Sequence, residues 1–144
     1  GRYFMLLIFS VIYLETGLMK LIYEPSWLTD GEVLAYHLVH PFHGNTVVGA
    51  WMSGQPWLMA PQAWLTMFFE LSFPLFVLFR KTNPYILALG CGFHLVLLAL
   101  MDVGSFGYMS LAAYPVLLHP DIAHSWWRRI EDLRVPGLNR VVSL

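Results

Sequence analysis

Apolar residues along this chain gather into four stretches divided by short polar breaks, at 3–23, 57–79, 84–101 and 103–118. The first reads YFMLLIFSVIYLETGLMKLIY, and its 21 residues at a helical rise of about 1.5 Å cover the roughly 30 Å hydrocarbon core of a bilayer. The pattern predicts an all-α protein: a polytopic membrane helix bundle with about four transmembrane helices and an external helical loop. The bundle is expected over 1–119, with the loop at 24–56 and an interfacial tail at 120–144. The fourth stretch has only 16 residues, so it is expected to tilt, to kink at Pro115, or to run on through His119. Within the loop, Ser26 or Thr29 is the expected cap of a short helix through Glu32 to His40, which Pro41 stops because proline disfavours helix at the residue before it.

Composition agrees. Of 144 residues, 58% are hydrophobic and only 12% charged, about half the charged share of an ordinary soluble domain. Basic residues test the topology, because cytoplasmic loops are enriched in Lys and Arg. Arg2 precedes the first stretch, Arg80 and Lys81 divide the second from the third, and Arg128, Arg129, Arg134 and Arg140 follow the fourth. Those ends, both termini included, are expected to be cytoplasmic. The loop carries Glu24, Asp30 and Glu32 but no Lys or Arg, and is expected outside with the turn at Asp102. Trp126, Trp127, Arg128 and Arg129 suit a helix lying at the cytoplasmic interface. The lipid bilayer is the first expected partner; a net charge of -1 argues against nucleic acid, which needs a concentrated basic surface.

The chain starts with Gly1 rather than Met, so an end is expected to be missing or processed. The first stretch, with buried charges and no small-residue cleavage site, does not read as a secretory signal. Cys91 is the one cysteine, which rules out an internal disulfide or a CxxC pair within this chain. Between Gly90 and Gly92, it is expected to allow close helix packing.

Lys20 is the one basic residue outside the topological pattern, set near the outer end of the first stretch. A lysine there either snorkels its ammonium to the interface or faces a bundle interior or wet cavity, where an ionisable group is a functional candidate. In a low-dielectric pocket desolvation disfavours the ammonium form, and the free amine is a base. Glu15 is a poor partner for it, since five helical residues turn about 140°; Glu15 is expected to meet a different helix, and Thr16 to share the side of Lys20. Glu70 and His94 lie mid-span in the second and third stretches and are expected to face inward. They read either as a mutually satisfied pair fixing helix register or as part of a functional cavity. His37, His40 and His43 form an HxxHxxH string that suits metals by residue type. Pro41 takes His43 off the face of the other two and no carboxylate follows at ligand spacing, so no metal site is expected. Tyr36 and His40, four apart, are expected to share a helix face.

These residues resemble the membrane domain shared by vitamin K-dependent γ-glutamyl carboxylase and the bacterial horizontally transferred transmembrane (HTTM) proteins. The resemblance starts with Gly17, Lys20 and Leu21 in GLMKL, and continues through Trp27, Gly31 and Tyr36-x-x-x-His40. It resumes at Phe93 and His94 and closes with Met101, Gly104, Phe106, Tyr108, Met109 and Pro115. It covers roughly 13–118 and implies an integral protein of a bacterial inner membrane. In the carboxylase a membrane lysine is the base toward vitamin K hydroquinone; oxygen then makes that a strong base, which takes a proton from glutamate before carbon dioxide adds. The resemblance therefore implies a quinol or vitamin K-like hydroquinone cofactor, with Lys20 and His94 catalytic and Trp27, Tyr36, His40 and Phe106 binding the cofactor.

The chain departs from the pattern in two respects. Met19 precedes Lys20 where the carboxylase has adjacent lysines, and neither a large luminal peptide-holding domain nor the bundle's first spans are seen. Helix faces left uncovered imply other membrane subunits or a homo-oligomer to bury Glu15, Glu70 or His94. Two functions follow: a quinol-binding enzyme with Lys20 as base, or a non-catalytic membrane subunit packed into a larger complex.

Overall fold

The computed structural model describes residues 1–44 and 46–134. Over these the chain forms seven α-helices and no strand. They are α1 (Arg2–Tyr23), α2 (Glu32–Val39), α3 (Val47–Ser53), α4 (Pro56–Phe76), α5 (Asn83–Leu100), α6 (Ser105–Leu117) and α7 (Pro120–Arg134), with a 3-10 turn at Pro25–Trp27 between α1 and α2. The interfacial tail expected at 120–144 begins as α7; its remainder, with Arg140, lies outside the described residues.

α1 buries Leu6, Phe9, Tyr13 and Gly17, a stripe at spacings of three and four that is one helix face. Its opposite side exposes Phe4, Leu7, Val11, Leu14, Leu18 and Ile22, an apolar surface that water would not favour. α1 and α5 are long and apolar enough to cross a membrane. α4 has 21 residues but carries Pro61, Gln62, Glu70 and two tryptophans, and does not reach the same apolarity. α6, at 13 residues, is about 20 Å long. The other two expected spans thus form helices at the expected places, α4 without the apolarity and α6 without the length of α1 and α5.

Side chains clamp the two ends of the bundle. At one end Arg2 Nε donates to Leu118 O at 3.1 Å. Beside it Asn83 donates to Val77 O at 2.8 Å and Leu117 O at 3.1 Å, and its Oδ1 accepts from His119 N at 2.8 Å. The start of α1, the α4–α5 turn and the α6–α7 junction are therefore neighbours, so Arg2, Arg80 and Lys81 gather at one end. At the other end Thr46, which caps α3 by accepting from Gly49 N at 2.9 Å, donates to Leu100 O at 2.7 Å, and Asp102 N donates to His43 O at 2.8 Å.

The loop helix α2 runs as expected, but its cap differs. Neither Ser26 nor Thr29 caps it; Gly31 occupies the N-cap in a left-handed conformation, φ 70°, which glycine adopts without a Cβ penalty. Asp30 Oδ1 instead accepts from Glu32 N at 3.0 Å. Gly31 is also buried against α4, where a Cβ would stand 2.5 Å from Met59 O. The helix stops at His40, extended ahead of Pro41.

Two apolar cores result. One, around Phe9, Tyr13, Phe69, Phe73 and Tyr114, joins α1, α4, α5 and α6; the other, around Trp27, Leu38, Met59 and Met67, seats the loop helices on α4. Between them lies the site.

Candidate functional site

Gly17 brings α1 onto α4. A Cβ there would stand 2.9 Å from Leu71 Cδ2 and 3.2 Å from Glu70 Cβ, so a larger residue would have to push the Leu71 side chain aside and ease the helices apart. One turn on, Lys20 Nζ forms a salt bridge and hydrogen bond with Glu70 Oε1. The Glu70 side chain is 7% exposed and that of Lys20 is 23% exposed. The ammonium also lies 4.9 Å from the centroid of the Trp27 ring, within cation–π range, while Trp27 Nε1 donates to Glu24 Oε2 at 3.0 Å. Lys20 is thus held inward by a carboxylate and an indole, which disposes of the snorkelling alternative. The second oxygen, Glu70 Oε2, is buried without a hydrogen-bond partner.

This pair borders a cavity of about 250 Å³ walled by Tyr13, Trp27, His37, Phe93 and Phe106. An apolar cavity of about 150 Å³ accommodates benzene, so this one admits a substituted ring with aromatic faces around it. The pair's opposite charges cancel, so the pocket favours a neutral oxygen-bearing group that both accepts from the ammonium and donates to the carboxylate. An anion would meet Glu70.

His94 takes a different place. It is fully buried, and its Nε2 lies 2.6 Å from Tyr13 Oη, which is in turn 2.7 Å from Tyr114 Oη. Gly90 makes room for Tyr114, whose ring carbons would lie 2.8 Å from a Cβ. His94 is therefore not the partner of Glu70 and does not line the cavity; it hydrogen-bonds with Tyr13, which does. His94 Nδ1 and Ser110 Oγ are buried without partners.

Of the expected cofactor residues, Trp27 and Phe106 are cavity walls, whereas Tyr36 and His40 are not. Those two pack edge to face on α2, ring centroids 5.3 Å apart, with Tyr36 exposed. Two α2 side chains reach the cavity, the apolar Leu34 and the titratable His37. His37 stacks on Trp27 at 6.2 Å, and its Nδ1 lies 3.1 Å from His43 Nε2. Burial, and secondarily the neighbouring His43, lower its pKa from the usual 6.5. His40 and His43 stack at 4.3 Å; the three imidazoles meet one another, and no group placed to hold a metal ion occurs among the described residues. Glu15 sits exposed on the outer side of α1, away from Lys20.

Sequence reasoning missed the Lys20–Glu70 pairing and the place of Tyr13. The second carried a signal, since Tyr13, Gly17 and Lys20 fall at steps of four and three and so share one face. The pairing needs the packing of α1 on α4, which spacing within one helix does not give.

No curated protein and no solved structure matches the chain. Residues 2–122, most of its length, match the family model of the HTTM domain. The chain belongs to the HTTM family, a family of membrane domains.

Proposed function

We propose that this chain is an HTTM-type integral membrane protein that binds a quinol-type isoprenoid beside Lys20. In this reading α4 and α6 supply the two further spans, the short α6 tilted or met by a thinned bilayer. The end bearing Arg2, Arg80 and Lys81 faces the cytoplasm of a bacterial inner membrane. The observation that carries the reading is the buried Lys20–Glu70 pair on the wall of a ring-sized, aromatic-lined cavity. Polar groups converging on an apolar cavity are the usual form of a ligand site, and the chemistry of these donors and walls fits a hydroxylated ring.

A bound quinol supplies an ionisable hydroxyl. Trp27 and Phe106, both on the cavity wall, would flank its ring, and Lys20 and Glu70 would take up the proton as one unit. Lys20 would be the base if its amine were free and Glu70 held the pair's proton; with the pair ionic, the unpartnered Oε2 of Glu70 would accept, and the Lys20 ammonium would neutralise the oxygen left behind. His94 acts on this site as a positioning residue, through its hydrogen bond to Tyr13 and its edge-to-face packing on the cavity walls Phe93 and Phe106.

The test is quinol binding to purified protein in nanodiscs, followed with Lys20→Ala. Binding that Lys20→Ala lowers at least tenfold, about 1.4 kcal/mol, supports the reading. A folded wild-type protein that binds no quinol, or one whose binding survives Lys20→Ala intact, refutes it.

A second reading rests on Glu15. A carboxylate exposed on the outer face of an apolar helix is costly against lipid, and a neighbouring subunit or second copy that covers α1 relieves it. The chain is then a packing subunit of a larger complex. Native mass spectrometry of membrane extracts separates the two: a constant companion supports the subunit, and a lone quinol-binding monomer rules it out.

A further inference from the structure

A second, larger cavity of about 510 Å³ lies in the groove between α4 and α5, lined by apolar side chains with Gln62 and Thr66 as exceptions. It is contiguous with the ring-sized cavity: Leu34, Thr66, Phe93, Leu97 and Met101 border both. Helix geometry makes the groove. Leu65 and Phe69 on α4 are four apart, as are Ala88, Gly92 and Val96 on α5, so each set stands on one face. Ala88 and Gly92 leave the floor low, and a Cβ on Gly92 would meet nothing within 4 Å. The rim is open sideways, with Leu65 50% and Val96 52% exposed.

We infer that this groove is the binding site for the apolar chain of an amphiphile whose polar ring sits at Lys20 and Glu70, and that the molecule enters laterally between α4 and α5. The inference rests on the ring-binding reading above and adds a second subsite and a route. The wall shared with a polar cavity points to the occupant: one molecule filling both spaces needs a neutral oxygen-bearing head, because Lys20 and Glu70 cancel, and a hydrocarbon tail, because the groove offers almost nothing to hydrogen-bond. Cavities in the range of about 300–1,000 Å³ hold ligands of this size. A chain bound there remains continuous with the bilayer at the rim, so entry does not take it through water.

The probes are a benzoquinol without a side chain and the same ring bearing an isoprenoid chain, compared in nanodiscs at equal mole fraction in the lipid, so that partitioning does not count. Wild type is expected to hold the chain-bearing compound at least tenfold more tightly. Gly92→Trp is expected to erase that advantage and leave the ring compound's affinity within twofold; Ala88→Leu, a smaller intrusion on the same floor, is expected to reduce the advantage in part. If the bare ring binds and the chain adds nothing, or if Gly92→Trp and Ala88→Leu both leave the chain's advantage intact, the groove assignment is overturned while the ring site stands. If neither compound binds wild type, the ring site itself falls and the groove with it. If Gly92→Trp converts a wild-type dimer to a monomer on native mass spectrometry, the groove is an interface between copies and the inference is overturned.

Discussion

The Lys20–Glu70 pair and the Tyr13–His94–Tyr114 cluster are both polar groups sunk in an apolar bundle, about 10 Å apart along α1 at the usual helical rise. Their surroundings differ. Lys20 and Glu70 stand on a cavity wall, and Glu70 keeps one oxygen without a partner; of the second cluster only the Tyr13 ring reaches that cavity, while its hydroxyl turns to His94 and Tyr114 in a packed core. Both clusters are costly unless satisfied. The second gains a fixed register among α1, α5 and α6; the first, on the proposed function, is where a ligand and a proton acceptor would meet. Burial alone, then, does not separate the two clusters; the open space beside one of them does.

The largest expected effect comes from splitting the pair. Lys20→Met leaves a buried carboxylate alone and is expected to cost about 3–5 kcal/mol, read as denaturant unfolding in detergent. The double variant Lys20→Met with Glu70→Leu is expected to recover most of that stability but no quinol binding. Recovery of binding as well would make the pair structural, like its neighbour.

Next is the approach of the helices. Gly17→Val drives a side chain into Leu71 and Glu70 and is expected to cost about 1–3 kcal/mol by overpacking. Gly92→Leu, facing open space, is expected to leave the unfolding midpoint unchanged; equal losses at the two glycines would contradict the groove.

A similar loss is expected at the second cluster, with a different signature. Tyr13→Phe removes the hydroxyl shared by His94 and Tyr114 and is expected to cost about 1–3 kcal/mol, with quinol affinity within a few-fold of wild type. Loss of binding from a folded Tyr13→Phe protein would merge the two clusters into one functional unit.

The smallest effect is a pH dependence. Burial lowers the pKa of His37 from 6.5, so below that value the unfolded chain binds a proton that the folded one does not. Its contribution to stability is full above about 6.5 and is lost as pH falls toward the lowered value. His37→Phe is expected to flatten the unfolding midpoint between neutral and mildly acid pH relative to wild type; an unchanged slope would remove His37 from the account.

Much of this was legible in the sequence. Apolar runs gave the helices at 3–23, 57–79, 84–101 and 103–118 to within a few residues, and Pro41 gave the stop of α2. Lys20 stood out because an amine among hydrocarbon side chains needs a reason, and Trp27 and Phe106 line the same cavity as it does. The pairing did not show, because Glu70 and His94 are alike by depth and type. The choice between them is made by Gly17, which draws α1 onto α4, and by Gly90, which admits Tyr114 beside His94. Tyr36 was expected at the site in place of His37 for a related reason: spacing names the members of a helix face, and packing decides which face turns inward.

The most direct measurement is a cryo-electron density map of the protein drawn from its native membrane with lipid retained. Density for a ring between Trp27 and Phe106, within hydrogen-bond reach of Lys20 or Glu70 and continuing as a chain along Gly92, is the predicted result. A closed pocket with Lys20 swung out to the lipid headgroups, or a neighbouring helix filling the space beside it, would contradict the account.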